Sequence, residues 1–143
     1  MNYENIKNII FVCKYNAFRS KIAEAYFKKI NKDNKINVVS RGFIMGETAD
    51  IIQKRKAREV GIEIKGNSKP LILKELIKSD LIIVVADDVP KIMFDYKLES
   101  ISEKVIIWKI RDEQKMNEKN IEKIIKKIQK RVDILIKKLE KEK

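Results

Sequence analysis

Two side chains capable of phosphoryl chemistry stand close together near the start of the chain, in Cys13-Lys14-Tyr15-Asn16-Ala17-Phe18-Arg19-Ser20, which has the form Cys-x5-Arg-Ser. Five intervening residues are enough to wrap a loop so that successive backbone N–H groups point into one concavity. A helix beginning near Arg19 and Ser20 adds its unpaired amides and the positive end of its dipole. That concavity suits a tetrahedral oxyanion, and the planar guanidinium of Arg19 can hold two of its oxygens while remaining charged. Cys13 then sits beneath the phosphorus in surroundings that favour the thiolate, the attacking form of cysteine.

Alone, the pattern is weak, because a single cysteine closing an apolar strand is more often an inert core residue. Its context is informative. Residues 6–12 (IKNIIFV) form a short apolar run of strand length, with Ile9, Ile10, Phe11 and Val12 consecutive, as in a strand buried on both faces of a parallel sheet. Ile22, Ala23, Tyr26, Phe27 and Ile30 then recur at helical spacing, and the polar Asn31-Lys32-Asp33-Asn34 marks a stop. The motif therefore lies between a buried strand and a helix start.

The strand-to-helix alternation continues. Residues 36–40 (INVVS) read as a second strand, and Thr48 is placed to cap a helix running through Ile52, Lys56 and Val60 to Gly61. Residues 71–79 read as a short helix, 81–86 (LIIVVA) as the most apolar strand, and 105–108 (VIIW) as another. Ile121, Ile124, Ile125, Ile128, Val132, Leu135 and Leu139 give the closing helix one apolar stripe. The expected fold is α/β: a single doubly wound domain over residues 1–143 with a four-stranded parallel sheet, flavodoxin-like. In such folds ligands bind beyond the carboxyl ends of strands, which directs attention to the loops after Val12, Ser40, Ala86 and Trp108.

Composition removes other chemistries. The 143 residues contain one Cys and no His, so an intrachain disulfide, a Cys–His pair and a His-based zinc site are excluded. The apolar runs are far too short for a membrane-spanning helix, and the first residues carry no secretory pattern, so a cytoplasmic protein is expected. The net charge of +12 suggests anionic partners. Residues 115–143 hold 11 basic and 5 acidic side chains, read chiefly as a solvated helix face. Nucleic-acid binding is the competing class for such charge, but no aromatic-rich strand motif, zinc pattern or helix-turn-helix accompanies it, so nucleic acid is an unlikely partner.

The stretch from Ile9 through Cys13, Arg19 and Ser20 to Glu24 resembles the active-site region of the low-molecular-weight protein tyrosine phosphatase family, which also contains thioredoxin-coupled arsenate reductases. Ser40-Arg41-Gly42 and residues 76–87 resemble further segments of that family. The resemblance implies a phosphomonoesterase acting through a cysteinyl-phosphate intermediate, with Cys13 as nucleophile, Arg19 as phosphate clamp and Asp112 as general acid. It implies a phosphate-binding loop of Lys14, Tyr15, Asn16, Ala17, Phe18, Arg19 and Ser20, with neither metal nor organic cofactor. A phosphorylated protein or small aryl phosphate is the expected partner.

Alternatives remain at several positions. Asn16 either holds a strained loop or is an ordinary turn residue, and Ser20 either donates to the thiolate or caps the helix. Glu113 competes with Asp112 for the acid role. Asp87 and Asp88, after the third strand, read as supporting groups or caps of the segment before Pro90. Phe18 stands where many relatives have a second, redox-protective cysteine, and Tyr15 stands where glycine is common and could wall the pocket. Arsenate reduction, completed by an external thiol, is the alternative activity.

Overall fold

A computed structural model describes residues 2–45, 48–95, 100–112 and 117–142. Four strands form one sheet: β1 (Asn8–Cys13), β2 (Asn37–Gly42), β3 (Leu81–Val85) and β4 (Val105–Trp108). Their spatial order is β2-β1-β3-β4 and every pairing is parallel, with Phe11 opposite Ser40 on one side and Ile83 on the other. This is the doubly wound, flavodoxin-like arrangement expected from the alternation of apolar runs.

The helices are α1 (Arg19–Ile30), α2 (Ile51–Glu59), α3 (Leu73–Lys78) and α4 (Glu118–Lys141), with 3-10 turns at Lys91–Phe94 and Ile101–Lys104. Ile9, Phe11, Leu81 and Ile83 pack with Ile22, Phe27 and the apolar stripe of α4. Ile10, Val12, Ile82 and Val84 pack with Leu76 of α3 and with Phe94 and Ile101 of the 3-10 turns. Period-two alternation within each strand thus feeds two cores, one on each face of the sheet, which is why the strands read as continuous apolar runs. Phe11 anchors the first core, its ring centroid 6.1 Å from that of Phe27 and 5.7 Å from that of Trp108. Tyr26 of α1 donates to Asp133 of α4 at 2.9 Å, tying the two helices of that face together. Among the described residues, no helix is long and apolar enough to cross a membrane.

β1 and β2 run one to two residues further at their carboxyl ends than the apolar runs suggest, whereas β3 stops at Val85, one residue short of the expected Ala86. β1 includes Cys13 and β2 includes Arg41 and Gly42, because parallel pairing between Cys13 and Gly42 continues the ladder past the hydrophobic residues. The cap of α2 also differs from expectation. Asp50, not Thr48, accepts from the backbone of Gln53 at 2.8 Å, and the Gln53 side chain returns a bond to the Asp50 amide at 3.1 Å. This reciprocal capping box outcompetes a lone hydroxyl two residues upstream. At the far end Gly61 adopts φ +77°, and the Ile62 amide reaches the Ala57 carbonyl at 2.9 Å, closing the helix as its glycine suggests.

Replacing Asp50 with Ala is expected to lower stability by about 1 kcal/mol. Thr48→Ala should stay within about 0.5 kcal/mol of the parent. Urea midpoints for the two variants check the assignment.

Candidate active site

The order β2-β1-β3-β4 places the carboxyl end of β1 at the point where the sheet reverses its direction of winding, with β2 built to one side and β3 to the other. Cys13 is the last residue of that strand and is buried. The loop after it leads directly into α1, whose N-cap is Phe18 and which has neither a side-chain cap nor an acidic residue in its first turn. Its leading amides therefore have no intrahelical acceptor. Among the described residues, no backbone N–H of residues 14–18 donates to a backbone carbonyl outside the regular elements. The loop carbonyls, in contrast, are engaged: Cys13 and Lys14 accept from the amides of Phe43 and Ile44 at 3.2 and 2.8 Å. Carbonyls tied to the residues just after β2, together with these amides, leave the loop electropositive.

Asn16 sets the loop's shape. Fully buried, it holds the left-handed backbone with φ +54°, an uncommon conformation for a residue with a Cβ. Its amide nitrogen donates to Ser20 Oγ at 2.8 Å and Ser40 Oγ at 2.9 Å, and its Oδ1 accepts from the Lys69 amide at 2.9 Å. The Lys69 N–H can only donate, so the orientation of the Asn16 amide is settled.

The direction of the remaining bonds follows. Ser40 donates to Glu24 Oε1 at 2.6 Å. Ser20 Oγ accepts from Asn16 and lies 3.0 Å from Cys13 Sγ, a contact in which either atom can donate while the sulfur is a thiol and only the hydroxyl can once it is a thiolate. Asn16 thus ties the loop, and Ser20 lies inside α1 facing the sulfur while Phe18 occupies the cap position. Gly42 is required beside them, since a Cβ there would lie 2.7 Å from both Asn16 N and Tyr15 C.

Arg19 is 2% exposed and points across the ends of β3 and β4. One terminal nitrogen donates to the Ile110 carbonyl at 2.9 Å, and the other lies 3.2 Å from Asp88 and 3.9 Å from Asp112. Asp87 is 3.9 Å from the first nitrogen. The expected acid Asp112 and the expected clamp Arg19 are therefore brought together at the mouth of the loop. Asp87 and Asp88, expected as supporting groups or caps of the segment before Pro90, both turn their carboxylates toward the guanidinium, and the 3-10 turn after Pro90 has no side-chain cap. Glu113, the rival acid, lies outside the described residues.

The rest of the expected loop divides by side chain. Phe18 turns into the first core, 3% exposed among residues of α1 and α4, so its backbone alone belongs to the loop. Lys14, Tyr15 and Ala17 are half-buried. The Lys14 ammonium lies 5.1 Å from the centre of the Tyr15 ring, keeping an aromatic face and a cation together at the loop. Sequence reasoning assigned no role to Ser40, Glu24, Ser68 or Lys69. Ser68 Oγ donates to the Asn16 carbonyl at 3.1 Å, a contact with no signal in a segment that lacks regular periodicity.

Fold and site together define a class: a flavodoxin-like α/β protein carrying a Cys-x5-Arg-Ser loop at the switch point of its sheet. The sequence pattern of the family described as low molecular weight phosphotyrosine protein phosphatase matches residues 8–143, and the chain belongs to that family. Among curated proteins it is similar to an arsenate reductase of Staphylococcus aureus, 36% identical over 85 residues, a match covering 57% of this chain and 62% of that protein. Among solved structures it resembles a protein tyrosine phosphatase from Entamoeba histolytica, with TM-score 0.84 and 23% identity over 94% of this chain and 97% of the other. The YwlE arginine phosphatase from Geobacillus stearothermophilus superposes with TM-score 0.83 and 21% identity over 95% and 94% of the two chains. These superpositions establish a shared fold.

Asn16→Ala removes the donor to both serines and the acceptor for Lys69 at a buried position. Leaving those groups unpaired is expected to cost about 2–3 kcal/mol, read as a lower urea midpoint with an unchanged denaturant slope.

Proposed function

We propose that this protein is a cysteine-dependent phosphomonoesterase of the tyrosine phosphatase type. The observation that carries the reading is the Cys13–Ser20 contact at 3.0 Å beneath a loop whose amides are uncommitted. The residues that shape that loop are the ones that hold Ser20 against the sulfur. The substrate phosphate enters the concavity formed by residues 14–20, where loop amides, the α1 N-terminus and Arg19 meet its charge.

In the first step the Cys13 thiolate attacks phosphorus, the P–O bond to the alcohol or phenol breaks, and the departing oxygen takes the proton of Asp112. In the second step Asp112, now ionised, removes a proton from water as the water oxygen attacks the cysteinyl phosphate. The S–P bond breaks, orthophosphate leaves, and Cys13 returns as thiolate with Asp112 protonated. Ser20 donates to the sulfur when it is anionic, both before attack and as the leaving group of the second step. Asp112 is 27% exposed at its side chain, so water can reach it. Tyr15 supplies an aromatic face for a phenyl phosphate.

The arsenate reductases among the similar proteins motivate a second reading. Cys13 is the single cysteine of the sequence. Reduction of arsenate would therefore require external thiols to provide the two electrons, becoming oxidised to a disulfide as As(V) becomes As(III).

Steady-state assays with phosphotyrosine peptide, phosphoarginine and aryl phosphates, beside arsenate with a small thiol, separate these activities. Phosphate release without thiol consumption supports the first reading. Arsenate-dependent disulfide formation without phosphatase activity would replace it with the second.

Cys13→Ser is expected to abolish turnover while leaving orthophosphate binding largely intact, and Arg19→Ala to damage both. Titration calorimetry with orthophosphate alongside turnover makes the distinction. Parental hydrolysis by Cys13→Ser would rule out the covalent route.

Asp112→Asn should slow esters with strongly basic leaving groups, such as phenyl phosphate, far more than nitrophenyl phosphate. Equal losses in kcat/KM across an aryl phosphate series would remove Asp112 from the acid role. The same dependence appearing in Glu113→Gln would transfer the role to that residue.

A further inference from the structure

Lys21 is a buried lysine placed one residue beyond the Arg19-Ser20 pair and used by none of the steps above. It is 8% exposed. Its ammonium donates to the carbonyls of Lys65 and Asn67 at 3.1 and 3.2 Å. Those carbonyls belong to the segment that runs from α2 to α3, where residues 62–69 have no regular secondary structure. Apolar burial anchors the segment at Ile62, Ile64 and Leu71, but the largely exposed stretch between them, with residues 65–67, 69 and 70 open to solvent, is not fixed that way. A few directional bonds hold it instead.

The same segment supports the loop around Cys13. Ser68 Oγ donates to the Asn16 carbonyl at 3.1 Å, and the Lys69 amide donates to Asn16 Oδ1 at 2.9 Å. The Lys69 carbonyl accepts from Gly42 at 2.9 Å, and the Leu71 amide returns a bond to the Gly42 carbonyl, also at 2.9 Å. Residues 65–71 thus form a strap fastened at one end by β2 and at the other by Lys21, with Asn16 clasped between the two fastenings.

We infer that Lys21 is a positioning residue that holds the 65–71 strap against Asn16 and thereby keeps the loop of residues 14–20 in its oxyanion-binding shape. A neutral side chain of similar length could fill the space, but it could not offer a charged donor to both carbonyls. The position is costly for a cation. Burial pushes the Lys21 ammonium below its ordinary value of 10.5, as do the nearby charges of Lys69 and Arg41, while Glu24 and Cys13 act in the opposite sense.

The sign of the resulting pH dependence is definite. As pH rises, Lys21 loses its proton before an ordinary lysine would. The strap is then held by a neutral amine, and the charge facing Cys13 disappears. Relative to a protein with arginine at this position, which shares every other titrating group, activity should fall along an alkaline limb below the usual lysine range.

The inference rests on Cys13 being the nucleophile for its activity readout, but the strap can be read independently by amide hydrogen exchange. Three proteins are compared at matched pH with nitrophenyl phosphate: the parent, Lys21→Met and Lys21→Arg, with Lys54→Met as a charge-loss control on the same side of the strap. Lys21→Met should lose about 10–100-fold in kcat/KM at neutral pH, the scale expected when catalytic groups are displaced by about 1 Å. It should also show faster exchange at residues 65–71 and at Asn16, and its activity relative to Lys21→Arg should not change with pH where that of the parent falls. Lys21→Arg should retain most activity, and because a guanidinium stays charged it shares every titration of the parent except that of Lys21. Lys54→Met should resemble the parent.

A Lys21→Met protein within twofold of the parent with unchanged exchange would overturn the inference. So would a parent-to-Lys21→Arg activity ratio that does not fall as pH rises, and if Lys21→Arg does not fold, the parent-to-Lys21→Met ratio decides. If the parent hydrolyses no phosphate ester, the phosphatase reading fails and the exchange comparison still tests the strap.

Discussion

One residue in an unfavourable backbone conformation organises the site. Asn16 sits at φ +54° in a position with no solvent, where a residue with a Cβ is stable only if its surroundings over-determine it. Its side-chain amide does this by reaching α1 through Ser20, β2 through Ser40 and the segment after α2 through Lys69. Three elements distant in sequence are joined through one planar group. The turn at Asn16 also brings the chain so close to β2 that only glycine fits opposite it, at Gly42.

The fold makes such a convergence possible because the switch point of the sheet is where loops from opposite windings meet. β1 ends between β2 and β3, so the cysteine loop has the β2 loop on one side and the β3 and β4 loops on the other. The first side supplies rigidity, through Ser40 and Gly42. The second supplies charge, through Asp87, Asp88 and Asp112. Arg19 spans toward that second side from the first turn of α1. A guanidinium buried to 2% exposure needs both hydrogen-bond acceptors and counter-charge, and the Ile110 carbonyl and the carboxylates provide them. In the proposed reaction an incoming phosphate therefore meets an arginine already oriented by its neighbours, and it competes with Asp88 for that nitrogen.

Elements of the fold were legible wherever apolar periodicity carried them. The runs at β1, β3 and β4 and the stripe of α4 each have a period set by the faces they bury. Boundaries were less legible where pairing or capping outlasts the hydrophobic pattern: Cys13 and Gly42 extend their strands through backbone ladder bonds, and Asp50 replaces Thr48 because its partner Gln53 makes the cap reciprocal. The Cys-x5-Arg-Ser motif and Asp112 were readable as residue types at a spacing. The orientation of Asp87 and Asp88 toward Arg19 was not, because it depends on three loops meeting in space. Lys21, Ser68 and Lys69 carried no signal at all, since each of their bonds in the site has a main-chain group on one side, and main-chain groups look alike in every sequence.

That last class of contact bears on how a chain with no histidine could manage proton and anion chemistry. The polarity of the network is imposed by groups that can only donate or only accept. The Lys69 N–H fixes the Asn16 amide, the Asn16 amide donates to both serines, Glu24 accepts from Ser40, and Ser20 is left facing the sulfur. Each bond removes a choice from the next, so Ser20 is held beside Cys13 before any ligand arrives. Such preorganisation lowers the reorganisation needed when charge builds on the sulfur. It also separates two tasks: the network around Asn16 holds the groups beside Cys13, while the proposed acid Asp112 stands by the terminal nitrogen of Arg19, apart from the bonds that hold the loop.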